Sequence, residues 1–419
     1  MIKGKNKLRC GLIGKTLSHS FSPQIHAELA DYSYKLFEMS EDEVGGFIRG
    51  DNFDAVNVTI PYKKTVMPYL DEISDEAMRI GSVNTVTHLS DGRLRGDNTD
   101  YFGFSYMLRR ANIEIKGKKV LILGTGGASL TAFAVCSDLG SSEIIFVSRS
   151  GDVNYENVYE KHPDGEIIIN CTPVGMYPHN QISPICLSRF SRLSGVADMI
   201  YNPAVTELLF DAQSLKIPCT NGLSMLVAQA KRACELFLGV TIDDGVIDEI
   251  TAKIEKSTKN IVLIGMPGCG KSTVGAFLSE MTGRALVDTD EMIVEDEKRD
   301  IPTIFAADGE DYFRRAEHKA IAEAGKQSSL IISTGGGAVT RDENYRSLKQ
   351  NGVVFYIERD TNSLSRDGRP LSQSGNLEEM FKKREPMYKK FSNYTIKNDS
   401  TAQECAEMII KAFKGEIDK

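Results

Sequence analysis

The run Gly265-Met266-Pro267-Gly268-Cys269-Gly270-Lys271-Ser272-Thr273 constrains this chain more than any other feature. It fits G-x-x-x-x-G-K-[ST] and follows the apolar run Asn260-Ile261-Val262-Leu263-Ile264. A strand, a glycine turn and a helix in that order make the P-loop unit of an α/β domain with a parallel sheet. The glycines let backbone N–H groups converge on phosphate oxygens at the positive end of a helix. Gly268, Cys269, Gly270, Ser272 and Thr273 are therefore the expected residues for binding a nucleoside triphosphate. Lys271 brings a cation to the β/γ-phosphates, and Ser272 is an expected Mg2+ ligand.

A phosphate cradle does not identify the acceptor. Val287-Asp288-Thr289-Asp290 follows an apolar strand, so two carboxylates lie at one mouth of the sheet. One suits the Mg2+ shell and the other suits a base for an acceptor hydroxyl, although Asp-Thr-Asp is also a plain helix cap. Further along come Gly309-Glu310-Asp311-Tyr312-Phe313-Arg314, Ser333-Thr334-Gly335-Gly336-Gly337, Arg366-Asp367-Gly368-Arg369-Pro370 and Arg384-Glu385-Pro386-Met387-Tyr388. The triple glycine follows the apolar run Leu330-Ile331-Ile332 and marks a backbone that approaches a ligand closely. In this order the motifs resemble shikimate kinase over about 160 residues, Asn260 to the C-terminus, which implies a nucleoside-monophosphate-kinase-like α/β fold with ATP on the P-loop. The resemblance implies that Asp290, Arg314, Gly336 and Arg384 hold shikimate, with the two arginines clamping its carboxylate and Asp290 catalytic beside Lys271. It also implies Asp288 in the Mg2+ shell and Arg369 closing on the phosphates.

A second strand–glycine turn–helix unit, of different design, lies upstream. Lys119-Val120-Leu121-Ile122-Leu123 leads into Gly124-Thr125-Gly126-Gly127-Ala128-Ser129, a dinucleotide fingerprint with serine in the third place. The next strand, Glu143 to Val147, ends in Ser148-Arg149-Ser150. NAD sites place an acid there; an arginine between hydroxyls suits the 2′-phosphate of NADP. The segment from Asp152 to Glu166 is too short for a full crossover helix, so a weaker grip on NADP is expected.

The N-terminal stretch adds the other half of a site. Ser20 and Ser22 precede a helix, where hydroxyls and N–H groups attract anions, or simply cap it. Asn57-Val58-Thr59-Ile60-Pro61-Tyr62-Lys63 ends a strand, followed by Ser82-Val83-Asn84-Thr85 and Gly96-Asp97-Asn98-Thr99-Asp100. A lysine beside a carboxylate exchanges a proton with a reacting hydroxyl while hydride moves. With Ile169 to Met176, Asp198 to Pro203 and Gly222 to Gln229, this constellation resembles shikimate dehydrogenase over roughly residues 8 to 250. The resemblance implies Lys63 and Asp100 as the catalytic pair and Ser20, Ser22, Thr59, Asn84, Tyr201 and Gln229 as substrate-binding residues. It implies Met199 and Gly222 beside the nicotinamide, with Gly124, Thr125, Gly126, Gly127, Ala128, Ser148, Arg149 and Ser150 holding NADP(H).

The expected organisation is an N-terminal α/β substrate-binding domain at 1–110, to which a helix from 225–255 packs back, a Rossmann-like domain at 111–255 and a P-loop domain at 260–419. Strands are expected near 8–13, 34–39, 54–58 and 83–88, with helices at 22–31 and 100–111. The polar stretch Glu255 to Lys259 reads as the boundary. The balance of 50 Lys and Arg against 58 Asp and Glu divides as 27 against 32 before Asn260 and 23 against 26 from there on. Neither part has the basic excess of a nucleic-acid binder. No apolar run reaches the roughly 18 residues of a membrane span and the start is too short for a signal peptide, so a cytoplasmic protein is expected. The eight cysteines contain no Cys-x-x-Cys pair and do not cluster with the six histidines, which reads as reduced, mostly buried thiols without zinc.

The expectation is thus a bifunctional enzyme that reduces 3-dehydroshikimate with NADPH and phosphorylates shikimate with MgATP. The oligomeric state is not legible. A quinate- or shikimate-sensing regulator, or a quinate dehydrogenase joined to another small-molecule kinase, are the alternatives. Lys63, Asp100, Lys271 and Asp290 together favour catalysis.

Overall fold

A computed structural model describes residues 7–17, 20–360 and 377–416. They form two compact units. The first runs to Gly175 and adds Ile182–Tyr201 and Leu208–Lys253; the second joins Met176–Gln181 and Asn202–Glu207 to the chain from Ile254 onward.

The first unit contains two sheets. Strands β1 (Arg9–Gly14), β2 (Ser33–Glu38), β3 (Ala55–Val58), β4 (Glu72–Ile73), β5 (Thr85–His88) and β6 (Leu94–Asp97) pair in the order β2-β1-β3-β5-β6-β4. The β3–β5 and β5–β6 pairs are antiparallel. The expected strands and the helices Ser22–Leu29 and Asp100–Arg110 appear within two residues of their predicted ends. The second sheet has β7 (Lys119–Leu123), β8 (Glu143–Val147), β9 (Ile167–Asn170), β10 (Gly195–Asp198) and β11 (Cys219–Thr220), all parallel, in the order β11-β10-β9-β7-β8. Parallel strands are covered on both faces and read as unbroken apolar runs. Accordingly Val120 to Leu123 and Ile167 to Ile169 are buried.

Strand order reverses around β7, which opens a crevice at its carboxyl end, where Gly124 lies. The crossover between β8 and β9 holds one short helix, Val158–Lys161. The return passage at 225–255 is two helices, Leu223–Leu238 and Gly245–Thr258. The first packs on Ser22–Leu29 and Asp100–Arg110. Gly103 allows the approach, since a Cβ there would lie 2.7 Å from the Met225 carbonyl oxygen.

The second unit repeats the logic with β12 (Asn260–Ile264), β13 (Leu286–Asp288), β14 (Ile331–Ser333), β15 (Gly352–Glu358) and β16 (Tyr394–Lys397). All pairs are parallel, in the order β13-β14-β12-β15-β16. The P-loop therefore leaves a central strand at a switch point. The polar stretch Glu255 to Lys259 is not a loop: it continues the helix to Thr258, whose hydroxyl bonds to the Ile254 carbonyl at 2.8 Å, and β12 starts two residues later. The two units divide between Lys253 and Ile254, close to this polar helix end.

Two candidate ligand sites

In the first unit a cavity of about 480 Å³ gathers most of the expected substrate and catalytic residues. Ser20, Ser22, Thr59, Lys63, Asn84, Asp100, Tyr201 and Gln229 line it, with Ala128, Met199 and Gly222 on the dinucleotide side. Lys63 stands in the turn after β3, and Asp100 opens the helix Asp100–Arg110. Lys63 Nζ donates to Asp100 Oδ2 at 2.5 Å, with both side chains largely shielded. Asn84 is fixed by its own bonds: Oδ1 accepts from Thr99 N at 2.7 Å and Nδ2 donates to Thr99 Oγ1 at 3.0 Å. Thr99 Oγ1 in turn reaches Gln229 Oε1 at 3.4 Å.

Ser22 is not ahead of its helix but is its first residue, and its N–H bonds to Ser20 Oγ at 3.2 Å. Asn57 also lines the cavity and went unread in the sequence. Its Oδ1 accepts from Tyr34 at 2.8 Å and its Nδ2 donates to Thr85 Oγ1 at 3.2 Å, so it serves as a buried strut. Behind it His26 stacks on Tyr34 at 4.0 Å and hydrogen-bonds Tyr32 through Nδ1 at 2.5 Å. Burial pushes the His26 imidazole down to about 3.

The glycine turn is open. Gly126 and Gly127 face empty space at the start of the helix Gly127–Asp138, and Thr125, Arg149 and Ser150 are exposed. Ser148 is half-buried and closes its loop through its N–H to Val153 O at 3.1 Å. Gly222 has no room for a side chain: a Cβ would meet the Met199 carbonyl oxygen at 2.1 Å. A free helix start with an arginine beside it fits a dinucleotide bearing a 2′-phosphate.

In the second unit a cavity of about 220 Å³ lies over the P-loop, lined by Gly268, Gly270, Lys271, Ser272 and Thr273 together with Asp288, Asp290, Arg314 and Gly336. Lys271 Nζ donates to the carbonyls of Gly265 at 2.9 Å and Met266 at 3.1 Å. The Cys269 side chain turns away into the core. Asp288 uses its two oxygens differently. Its Oδ1 caps the next helix, accepting Asp290 N at 3.0 Å, while Oδ2 accepts Ser272 Oγ at 3.0 Å and Ser333 Oγ at 2.9 Å. Three hard oxygen groups at the P-loop, one of them a carboxylate, are a donor set suited to Mg2+ shared with phosphates.

Asp290 is half-buried, with its carboxyl turned inward near Asp288 and Glu317, and desolvation there pushes that carboxyl up to about 7. Among the described residues its Oδ1 has no hydrogen-bond partner, nor has Glu317 Oε1. Glu317 went unread; its only sequence signal is its place three residues after Arg314 on one helix. Its carboxyl is raised by burial against the pull of Arg314, whose Nη1 donates to it at 2.7 Å.

The triple glycine runs between the two expected arginines. A Cβ on Gly337 would lie 1.9 Å from Arg314 Nη1, and Arg384 Nη1 bonds to Gly336 O at 3.1 Å. Tyr388 OH donates to the same carbonyl at 2.6 Å, and Asn398 Nδ2 ties down Cys269 O at 2.8 Å; neither was singled out in the sequence. Arg369 lies outside the described residues.

Comparison with known proteins follows the same division. The family model for shikimate kinase matches residues 267–414, and that for the shikimate dehydrogenase substrate binding domain matches residues 12–86. The shikimate dehydrogenase (NADP(+)) of Clostridium beijerinckii is 38% identical over 269 residues, spanning 59% of this chain and 98% of its own length. The crystal structure of shikimate dehydrogenase 1 from Peptoclostridium difficile is 40% identical, with a TM-score of 0.54, over 58% of this chain and 97% of that one. The Thermus thermophilus enzyme in complex with NADP(H) and shikimate is 29% identical, with a TM-score of 0.53, over 59% and 99%.

Proposed function

Since this chain belongs to the shikimate dehydrogenase family and carries a shikimate kinase domain behind it, we propose that it makes shikimate at one site and phosphorylates it at the other. The proposed reactions are the NADPH-dependent reduction of 3-dehydroshikimate and the MgATP-dependent phosphorylation of the shikimate 3-hydroxyl. One observation carries this reading: each unit has a cavity in which the expected reactive side chains meet around a space of small-metabolite size.

In the first unit Lys63 gives a proton to the carbonyl oxygen as that oxygen gains charge, and Asp100, 2.5 Å away, holds the ammonium in place. Ser20, Ser22 and Tyr201 fit the carboxylate end, while Thr59, Asn84 and Gln229 fit the ring hydroxyls. NADPH supplies the hydride. Gly124 to Ala128 would hold its pyrophosphate, with Ser148, Arg149 and Ser150 at the 2′-phosphate.

In the second unit Asp290 takes the proton of the acceptor hydroxyl. A carboxyl raised to about 7 is matched to that task near neutral pH. Arg314 and Arg384, on either side of the triple glycine, fit the acceptor's carboxylate. Gly268 to Thr273 would hold the ATP phosphates, with Lys271 on the transferred group and Ser272 and Asp288 at Mg2+. Mg2+ neutralises phosphate charge when bound. The set of bound small molecules is thus 3-dehydroshikimate, shikimate, NADP(H), ATP and Mg2+, in a protein proposed to work in the cytoplasm. Among the described residues no helix is long and apolar enough to cross a membrane.

The test uses the full chain. Shikimate should drive NADP+ reduction, and shikimate with MgATP should yield ADP. Absence of either reaction from folded protein would refute the corresponding half of the reading.

A further inference from the structure

Arg314 enters the second cavity with every nitrogen of its guanidinium already engaged. Nη1 donates to Glu317 at 2.7 Å, while Nη2 and Nε both donate to Glu310 Oε1, at 3.0 and 3.3 Å. The Nε–Nη2 edge is a side from which arginine grips a carboxylate with two parallel bonds. An incoming anion finds that edge taken.

The two acids differ in what it costs to move them. The Glu317 side chain is 1% exposed and Arg314 is 7% exposed, whereas Glu310 is 56% exposed. Glu310 can turn into water at little cost; Glu317 cannot. The backbone holds Glu310 where it competes. Gly309, with φ 81° and ψ 177°, breaks the segment Ile301–Lys326, so Glu310 opens a fresh helical run one turn before Arg314. Among the described residues Arg314 is the arginine that lines the cavity, whose lining also includes the apolar Ile301 and Phe305.

We propose that Glu310 is a built-in competitor for the acceptor's carboxylate: it occupies the Nε–Nη2 edge of Arg314 until substrate displaces it, and so sets the affinity of the kinase for its acceptor. The inference rests on the reading of Arg314 as the carboxylate clamp. It assigns to Glu310 a role in specificity, because a neutral acceptor has nothing with which to displace it.

The test follows ADP production by the full chain with shikimate varied at saturating MgATP, for wild type, E310Q and E310A. Both variants should lower the KM for shikimate about two- to fivefold, the range for an ion pair with one exposed partner. kcat and the KM for ATP should stay as in wild type. Methyl shikimate, whose charge is capped, should inhibit all three proteins with the same constant, a result that a general change in site shape would not give. An unchanged or raised KM for shikimate in both variants would overturn the proposal. So would a fall in kcat alongside any change, which would make Glu310 part of the helix start and no more. Wild type that yields no ADP with shikimate would instead overturn the functional reading, and the two failures are told apart.

Discussion

At the scale of single residues, the proposed catalytic pair of the first unit is the most exposed to test. Lys63 and Asp100 lie 37 positions apart and meet at 2.5 Å. Asp100→Asn removes the anion that orients the ammonium, and kcat for NADP+ reduction should fall by about two orders of magnitude or more in a steady-state absorbance assay. His26 offers a different measurement. Its imidazole is pushed down from 6.5 to about 3 by burial, so the folded state favours the neutral ring. Stability is then fully present above about pH 6.5 and declines as pH falls toward 3, because the unfolded chain takes up the proton first. Between pH 7 and pH 5 this one group should remove about 2 kcal/mol. Denaturant melts of the first unit in His26→Leu should show correspondingly less loss over that interval than wild type. Residues of this kind divide in legibility. Lys63, Asp100 and Asp290 were singled out because the short runs that hold them carry a family resemblance, which alone lends them a role. Asn57, Tyr34 and Glu317 were not, because they act through partners far away in sequence or on an otherwise ordinary helix face.

At the scale of elements, the glycine turns were the most legible parts, since their composition states their geometry. The triple glycine was read as a backbone that approaches a ligand closely; what the structure places against Gly337 is a side chain of the protein itself, the Arg314 guanidinium at 1.9 Å from where a Cβ would be. Gly337→Ala must push the arginine aside, and the kinase KM for shikimate should rise about tenfold or more while NADP+ reduction is unchanged. Both activities measured on one sample provide the check. Long apolar strands such as β7 and β12 were visible for the reason that they are buried on both faces. Strand β6, Leu94–Asp97, was not, because Leu-Arg-Gly-Asp has neither alternation nor length and is a strand only by pairing with β5 and β4. Glu255 to Lys259 was read as a boundary without a structure assigned to it, since polarity without apolar periodicity looks the same in a loop and in a solvated last helical turn.

At the scale of the whole molecule, the two chemistries should separate cleanly. Lys63→Ala should abolish dehydrogenase activity and spare ADP formation, and Lys271→Ala should do the reverse. Loss of both activities from either single change, in protein that melts like wild type, would rule out two independent centres. The centres also differ in temperament. In the first, the anion Asp100 is satisfied by Lys63. In the second, among the described residues, Asp290 Oδ1 and Glu317 Oε1 lack partners and close on Gly335, at 2.6 and 2.7 Å from where a Cβ would be, so that no side chain fits there. Two acids with unused acceptors beside the cavity favour a visitor rich in N–H or O–H groups. An aminocyclohexene acid, with an ammonium in place of the ring hydroxyl, would be drawn toward those two acids yet be repelled by the ammonium that guards the other vestibule. One small change of heteroatom should therefore yield an inhibitor that silences one of this polypeptide's two activities and leaves its neighbour running.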